Sequence, residues 1–333
     1  MTSFGVSYFG NRFISHAKRD IKRIAESCDY IVHTVSESDL TYHKAVITKI
    51  MSDSAKAGLE VWADPWGLGG VFGGESFSKF LLEHRDAWQV MSDGRVVPAA
   101  CLNRPEWRSY VMEWILNVRD MGAQVLFWDE PHVSFDFESE WEGIYSCVCD
   151  VCQHIYKKQY GSPLPAKLNE TARHFRRESI RNFLNDVMAF ARSRNLKNAI
   201  CLYAFKGHPE YDLIWQEAAA MPDLDIMGCD PYWRWRGHQD PALHVADFSR
   251  YVVESAKPHG KGSQVWLQAM RLPAGAEGEI HKACEAAVKE GVTHVAAWSF
   301  DGGELLDSVL SERPEDVWNT VETAFKRFRQ RSK

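Results

Sequence analysis

The sequence has 333 residues, 45% hydrophobic and 12% aromatic, which is enough apolar material for one large domain or two average ones. A net charge of −6, with no basic run interleaved with aromatics, argues against nucleic acid as a partner. No stretch approaches the ~18 apolar residues of a membrane span, and the start MTSFGVSYFG does not look like an export signal. We therefore expect a cytoplasmic protein with reduced cysteines and no membrane partner.

Strand and helix patterns alternate along the whole chain, and no linker, low-complexity tract or repeat divides it. Amphipathic segments such as PEWRSYVMEWILNVRDMG predict helices, and several of these close on a glycine. Eight buried strands are predicted between the helices, at residues 5–8, 30–34, 59–63, 124–128, 199–203, 226–229, 264–267 and 294–298. This spacing predicts an α/β fold with a single (β/α)8 TIM-barrel domain over residues 1–333.

A doubly wound sheet is the alternative, but the turn SYFGNRF after the first strand has one glycine and no GxGxxG pattern. The barrel is therefore preferred. Its long loops are expected after the third strand, over residues 65–103, and after the fourth, over residues 131–165. Both lie on the face where barrel enzymes carry their active sites.

Polar and aromatic residues gather at the predicted strand ends, and six of them are carboxylates. Crowded carboxylates cost stability unless they have shifted pKa values, a metal ion or a polar substrate. The set comprises Glu37, Asp64, Trp66, Asp129, Glu130, Lys206, Asp230, Tyr232, Trp233, Gln268, Arg271, Trp298 and Asp301.

The pair Asp129 and Glu130 follows the apolar strand QVLFW directly and precedes Pro131. Alternation along a strand should point one carboxyl toward the barrel axis and the other sideways, and like charge nearby favours a protonated acid. A protonated acid is what cleavage of a glycosidic bond needs. The structural alternative is that Asp129 caps the next turn and Glu130 pairs with a surface cation.

Two further aspartates occur in a similar sequence context. Asp230 lies in MGCDPYWRWRGH, and Asp64 lies in WADPW, each at the end of an apolar strand and before proline and aromatic residues. Aromatic rings stack on the apolar face of a sugar while carboxylates and arginines take its hydroxyls. We expect Asp230 to be catalytic. The expected substrate-binding residues are Asp64, Trp66, Tyr232, Trp233, Arg234, Gln268, Arg271, Trp298 and Asp301.

The run CVCDVCQ brings three thiols together, those of Cys147, Cys149 and Cys152. A tetrahedral zinc site needs a fourth ligand, which His154 or a distant group would have to supply. Helix packing by thiols is the alternative, and no cofactor or metal is assigned from the sequence.

The segments WDEP and SCVCDVCQHIYKKQYGSPLP resemble the clan A barrel glycoside hydrolases, particularly the family 42 β-galactosidases and related barrels. Those families place an acid/base glutamate after the fourth strand, behind Asn or Asp, followed by a Cys-rich segment, a helix and Tyr-Gly. The resemblance covers about 40 residues, and AAWSFDGG is similar to the eighth-strand tryptophan of a sugar site. It implies that Glu130 is the acid, preceded by Asp129.

The resemblance departs from the family pattern at the seventh strand, where WLQAM places Gln268 at the position of the nucleophilic glutamate. An amide cannot be that nucleophile. The partner of Glu130 is then Asp230 as base or nucleophile, or Asp129 orienting a substrate group that attacks internally. A third arrangement has Asp129 as nucleophile and Asp230 as acid.

The leading hypothesis is a glycoside hydrolase that acts on a small carbohydrate or glycoside. One alternative is a metal-dependent sugar isomerase or epimerase with Glu130, Asp230 and either His33 or Asp64 as ligands. Another is an inactive glycan-binding barrel, for which Gln268 is the main argument. The exposed aromatic loops are compatible with a homodimer.

Overall fold

The structure is a computed structural model that describes residues 2–74, 76–133, 143–205, 215–235, 237–238 and 240–331. Lys206, one of the polar residues predicted at a strand end, lies outside these ranges. The strands are β1 (Ser3–Tyr8), β2 (Tyr30–Thr34), β3 (Glu60–Asp64), β4 (Trp88–Val90), β5 (Val96–Ala100), β6 (Val125–Asp129), β7 (Lys197–Leu202), β8 (Ile226–Cys229), β9 (Gly262–Gln268) and β10 (His294–Trp298).

Eight of these strands form a closed parallel barrel in the order β1, β2, β3, β6, β7, β8, β9 and β10, and β10 pairs with β1. The remaining two, β4 and β5, form an antiparallel hairpin outside the barrel wall. The architecture is therefore the predicted (β/α)8 TIM barrel. Each of the eight predicted strands coincides with a barrel strand to within two residues at either end.

Between β7 and β8 a short helical segment covers residues 215–219. Further helices separate the other barrel strands and cover the outside of the wall. They are α1 (Ile14–Ala25), α2 (Glu37–Tyr42), α3 (Lys44–Lys56), α4 (Lys79–Glu83), α5 (Pro105–Asp120), α6 (Asp150–Tyr160), α7 (Glu170–Ser193), α8 (Pro241–Ala256), α9 (Glu279–Lys289) and α10 (Pro314–Arg331). Nowhere in the described parts of the chain is a helix both long and apolar enough to cross a membrane.

The barrel interior is filled by side chains from alternate positions of the strands, because successive residues of a strand point to opposite sides. Tyr30 and Trp62 stack with their ring centroids 4.5 Å apart, and Phe127 lies 5.0 Å from Trp266. These rings fill the space inside the wall. The next inward positions toward the carboxyl ends of the strands are polar, and they begin the site described below.

The insert after β3 contains α4 and the β4–β5 hairpin, which the sequence pattern did not predict. A buried carboxylate holds its first part in place. Glu37, at the start of α2, accepts hydrogen bonds from Ser78 Oγ (2.6 Å), the Phe80 amide (2.6 Å), the Gly69 amide (3.1 Å) and Tyr110 Oη (2.9 Å). Glu37 therefore anchors this loop and does not belong to the cluster of acids at the barrel mouth.

Candidate active site

A cavity of about 390 Å³ opens at the carboxyl ends of the barrel strands. This volume lies within the range of small-molecule sites in proteins, about 300–1,000 Å³. Phe127 and Trp266, from the barrel interior, line its inner end. The remaining lining includes Trp66, Gly73, Gly74, Asp129, Glu130, Cys201, Tyr203, Asp230, Tyr232, Trp235, Met270 and Trp298.

The three residues predicted to be catalytic, Asp129, Glu130 and Asp230, all line this cavity. Asp129 is the last residue of β6, and its carbonyl accepts a hydrogen bond from the Gly73 amide (3.0 Å). A Cβ atom on Gly73 would lie only 2.3 Å from Asp129 Oδ2. The loop after β3 can therefore pass this close to the Asp129 carboxylate only with glycine at position 73.

Glu130 reaches the same cavity as Asp129 because the backbone turns sharply at the end of the strand. Its φ is +40°, in the left-handed region that residues other than glycine rarely adopt. Its amide donates to the Cys201 carbonyl (3.0 Å), and its carbonyl accepts from His132 Nδ1 (2.8 Å). The expectation that one of the two carboxyls points sideways therefore does not describe this site.

The Glu130 carboxyl lies beside the Asp230 carboxyl and the Tyr203 hydroxyl, both of which affect its pKa. Burial, followed by the charges of Asp230 and Asp129, raises the pKa of Glu130 well above its usual value, against which the Tyr203 hydrogen bond acts. Burial and the nearby charge of Asp230 raise the pKa of Asp129 to about 7. The site can thus keep one carboxyl protonated at neutral pH, as a general acid must be.

Asp64 lies just outside the lining, at the end of β3. It is only 2% exposed, and its Oδ1 atom has no hydrogen-bond partner among the described residues. Burial and the neighbouring Asp129 raise the pKa of Asp64 well above its usual value. The neutral form of Asp64 is therefore favoured beside Asp129.

Three nearly parallel aromatic rings lie on one side of the mouth. The ring centroids of Trp66 and Trp298 are 6.0 Å apart at an interplanar angle of 17°, and the Phe9 ring lies 5.9 and 5.3 Å from them. Gly74 permits this position of Trp66, since a Cβ atom there would lie 2.4 Å from the indole. Trp66, Tyr232 and Trp298 thus line the cavity as the sequence suggested, and flat apolar walls of this kind suit a sugar.

Trp233 and Arg234, both predicted to bind substrate, are engaged elsewhere. Trp233 is fully buried and donates from Nε1 to Glu279 Oε2 (2.8 Å). Arg234 forms a two-point ion pair with the same carboxylate, at 2.6 and 2.7 Å. Of the two rings in the sequence WRW, Trp235 lines the cavity and Trp233 packs in the core.

Gln268 and Arg271 are placed near the cavity without lining it. Gln268 is 1% exposed; its Oε1 atom accepts from the Arg234 amide (2.9 Å) and its Nε2 atom donates to the Met270 carbonyl (3.1 Å). The Arg271 guanidinium lies 4.1 Å from the centroid of the Trp235 ring, and its Nε atom donates to the Ser308 carbonyl (2.6 Å). Both side chains contact protein groups.

Asp301, also predicted to bind substrate, pairs with Arg23 at 2.9 Å and is absent from the cavity lining. His33, a ligand in the isomerase hypothesis, is buried in β2 and lies 3.0 Å from Ser54 Oγ on α3. A metal site made of Glu130, Asp230 and His33 is therefore not assembled. Within the described ranges, no three carboxylates or histidines come close enough together to share one ion.

Four cysteines do form such a group, at a distance from the barrel axis. The Sγ atoms of Cys101, Cys147, Cys149 and Cys152 all lie within 4.8 Å of one another, and Cys101 Sγ is 3.5 Å from those of Cys149 and Cys152. Four thiolates about 2.3 Å from a tetrahedral zinc ion are about 3.8 Å apart, so the group fits zinc. The fourth member is Cys101, whereas His154 is exposed.

The cysteine group joins the two inserts that were predicted on the active-site face. Cys101 follows β5 of the hairpin, whereas the other three lie before and within α6, in the insert after β6. Asn103 Nδ2 donates to Cys152 Sγ (3.3 Å), and Ser146 Oγ donates to Gln89 Oε1 (2.7 Å). Zinc bound there would supply a structural crosslink and no chemistry in the cavity.

The sequence matches no protein-family model and no curated protein. Solved structures do match over nearly the whole chain. A β-galactosidase from the Antarctic haloarchaeon Halorubrum lacusprofundi matches with a TM-score of 0.70 at 14% identity, over 98% of this chain and 58% of that one. The chain therefore shares the (β/α)8-barrel fold of this β-galactosidase.

Two further matches support the same fold. A β-galactosidase from the psychrophilic Marinomonas ef1 has a TM-score of 0.71 at 11% identity, over 98% of this chain and 60% of that one. The catalytic domain of a β-amylase from Paenibacillus polymyxa has a TM-score of 0.66 at 12% identity, over 98% and 97%. The chain spans about three fifths of the length of the two β-galactosidases. Sugar epimerases are among the weaker matches.

The residues that sequence reasoning missed are Tyr203, Trp235 and Cys101. Tyr203 was counted as the last residue of a strand, although an aromatic hydroxyl directly after an apolar run was a usable signal. Trp235 and Trp233 are two positions apart and cannot be told apart by composition. Cys101 lies 46 residues before Cys147, so no local spacing connects it to the other thiols.

Proposed function

We propose that the chain hydrolyses a glycosidic bond in the barrel cavity and that Glu130 is the general acid. The observation that carries this proposal is a cavity-lining carboxyl group whose pKa is raised by burial and by two neighbouring carboxylates. Such a group retains a proton at neutral pH and can give it to the oxygen of the departing sugar. The parallel indoles of Trp66 and Trp298 support a carbohydrate as the substrate.

Asp230 is best assigned to holding the proton on Glu130. Two carboxyls that act on opposite sides of a glycosidic bond stand about 5–5.5 Å apart in retaining enzymes and about 6.5–9.5 Å apart in inverting ones. Asp230 instead lies beside Glu130 on the same side of the cavity, where it raises the pKa of the Glu130 carboxyl. Asp230 therefore acts as a positioning residue in this proposal.

Asp129 is the partner carboxylate that we propose in its place. Its pKa of about 7 leaves it partly ionised at neutral pH, so that it can accept a proton from water or orient a group of the substrate. It lines the same cavity as Glu130, and Asp64 lies behind it. The arrangement agrees with the sequence-based alternative in which Asp129 orients a reacting group, and it does not need a nucleophile at Gln268.

The test compares the wild type with Glu130→Gln on glycosides that share one sugar but differ in leaving group. A panel of neutral and anionic α- and β-nitrophenyl glycosides identifies the sugar, and a disaccharide of that sugar provides a poor leaving group. We expect Glu130→Gln to lose about 10²–10⁴-fold in kcat on the disaccharide and far less on the nitrophenyl glycoside. Glu304→Gln, an exposed carboxylate outside the cavity lining, is the matched control.

Turnover of the disaccharide by Glu130→Gln at the wild-type rate would remove Glu130 from the role of acid. Binding of the sugar with no turnover by the wild type would favour the inactive glycan-binding barrel. A third arm assays isomerisation of the free sugar with and without chelator, at a temperature where the chelated protein remains folded, because a metal-dependent isomerase would lose its activity there.

A further inference from the structure

Trp235 stands at the outer rim of the cavity, and we propose that it is the binding surface for the leaving group of the substrate. The inference rests on the proposed function, since it presupposes that Glu130 protonates the oxygen between the two halves of a glycoside. The ligand class is a flat apolar surface, either the hydrophobic face of a second sugar or an aromatic aglycone. No sequence pattern assigned this residue a role.

Exposure separates Trp235 from the ring at the inner end of the cavity. Trp235 lines the same cavity as Glu130 but is 55% exposed, whereas Trp266 at the inner end is 1% exposed. Single exposed apolar side chains are common, but this indole also lines the cavity that holds the proposed acid, which places its surface within reach of a bound ligand. The inner end is then left for the sugar that is cleaved off.

The indole is held in position from one side by Arg271. The guanidinium carbon lies 4.1 Å from the ring centroid, and Nε donates to the Ser308 carbonyl at 2.6 Å, which fixes the arginine. A cation placed over one face leaves the opposite face for a ligand. Because this contact already restricts the indole, ligand binding costs less conformational entropy.

The Gln268 side chain holds the backbone at Trp235 in place through hydrogen bonds. Its Oε1 atom accepts from the amides of Arg234 (2.9 Å) and Trp235 (3.4 Å). Its Nε2 atom donates to the carbonyl of Met270, the neighbour of Arg271. One amide side chain thus joins the segment that carries the indole to the segment that carries its cation, because it supplies both the acceptor and the donor that these two contacts need.

Binding is the sharpest test, because it does not depend on turnover. The probes are one free monosaccharide and its S-linked methyl and nitrophenyl glycosides, whose thioether linkage resists hydrolysis. The sugar is drawn from the α and β panel described above, and each probe is titrated calorimetrically. The proteins are the wild type, Trp235→Ala, Trp235→Phe, and Phe77→Ala as a control that removes an exposed ring outside the cavity lining.

We expect the wild type to bind the nitrophenyl glycoside roughly three- to tenfold more tightly than the methyl glycoside, the usual worth of one aromatic contact. Trp235→Ala should abolish this preference without weakening the free monosaccharide, and Trp235→Phe should restore most of it. Equal effects of Trp235→Ala on all three probes, no effect on any, or a failure of every glycoside to bind would each overturn the inference.

The two proposals fail in different ways. If the nitrophenyl preference depends on Trp235 but no glycoside is hydrolysed, the leaving-group surface stands and the hydrolase proposal falls. If glycosides are hydrolysed with a loss in Glu130→Gln but Trp235→Ala discriminates leaving groups as the wild type does, the reverse holds.

Discussion

The carboxyl groups of Glu130 and Asp230 lie beside each other in the cavity, although they follow different strands and are 100 positions apart in the sequence. Two carboxyls in such contact cannot both be ionised at low cost, so the pair holds a proton between them. The chemistry that we propose depends on where that proton resides, and this can be tested by changing one partner at a time.

Replacing Asp230 by asparagine should lower the pKa of Glu130, because the substitution removes a negative charge beside it and leaves its shape. A general acid works only while protonated, so the alkaline limb of the pH profile of kcat/KM should move to lower pH, by about one to three pH units. The profile would be measured on a nitrophenyl glycoside for the wild type, Asp230→Asn and Glu304→Gln. An alkaline limb that stays in place would show that Asp230 does not hold this proton.

The Asp129 carboxyl should make the protein less stable as the pH rises. Its pKa is raised from 3.8 to about 7 in the folded protein, so the folded state binds the proton more tightly than the unfolded chain does. The stability that this proton provides is complete below pH ~4 and is lost as the pH rises through about 7.

In Asp129→Asn, the free energy of unfolding should therefore fall less between pH 4 and pH 8 than it does in the wild type. At pH 8 the variant should be more stable than the wild type by about 1–3 kcal/mol. Denaturant titrations at both pH values measure it. Asp316→Asn, on the surface of α10, should leave the pH dependence unchanged. A parallel shift of the curve, with no change in its slope against pH, would contradict the expectation.

The purified protein should contain about one zinc ion per chain, bound by the cysteine group. Removing it with a strong chelator should lower Tm by about 5 °C or more, because zinc bound only by the folded chain stabilises it. Cys101→Ser should lose the zinc, whereas Cys284→Ser, which removes a buried thiol of α9, should retain it. Metal analysis by plasma mass spectrometry decides the question, and a fully loaded Cys101→Ser protein would refute the four-thiol site.

Gln268→Glu should produce a pH-dependent defect. A carboxylate has no hydrogen to give to the Met270 carbonyl, whereas the protonated acid can still donate there and accept from the Arg234 amide. Because the buried acid keeps its proton better in the folded state, stability is retained at low pH and is lost as the pH rises through the raised pKa.

The expected cost of Gln268→Glu is about 1–3 kcal/mol at pH 8 and much less at pH 5, measured as the free energy of unfolding. Gln216→Glu, at an exposed position, provides the control. An equal loss at both pH values would argue against the donor role of the amide. Turnover higher than that of the wild type in Gln268→Glu would instead show that the position is poised for a nucleophile.

The barrel was predictable because its strands are short, almost uninterrupted apolar runs, and the parallel order follows from the helices between them. The β4–β5 hairpin was not, since WQV and VVPAA carry too little alternation to separate strand from loop. The location of Asp129, Glu130 and Asp230 at the barrel mouth was predictable from their positions at strand ends. Their division of labour was not, because it depends on a positive φ at Glu130 and a contact across the barrel mouth.

Arg234 was predicted to bind substrate, and its position also depends on a contact that the sequence does not show. Its neighbourhood in the sequence is that of a substrate-binding loop, but Glu279 on a later helix takes its guanidinium. Partners that come from distant parts of the chain decide whether a cation or a ring faces a ligand, and one sequence does not reveal them.

The four thiols also connect two distant parts of the chain. Cys101 and Cys152 are separated by 51 positions, and the chain between them contains α5 and the barrel strand β6 that delivers Asp129. Closing a loop of this length is entropically costly until its contents have packed. An ion bound by all four thiols would hold this loop closed, with β6 and its terminal Asp129 between the two anchored ends.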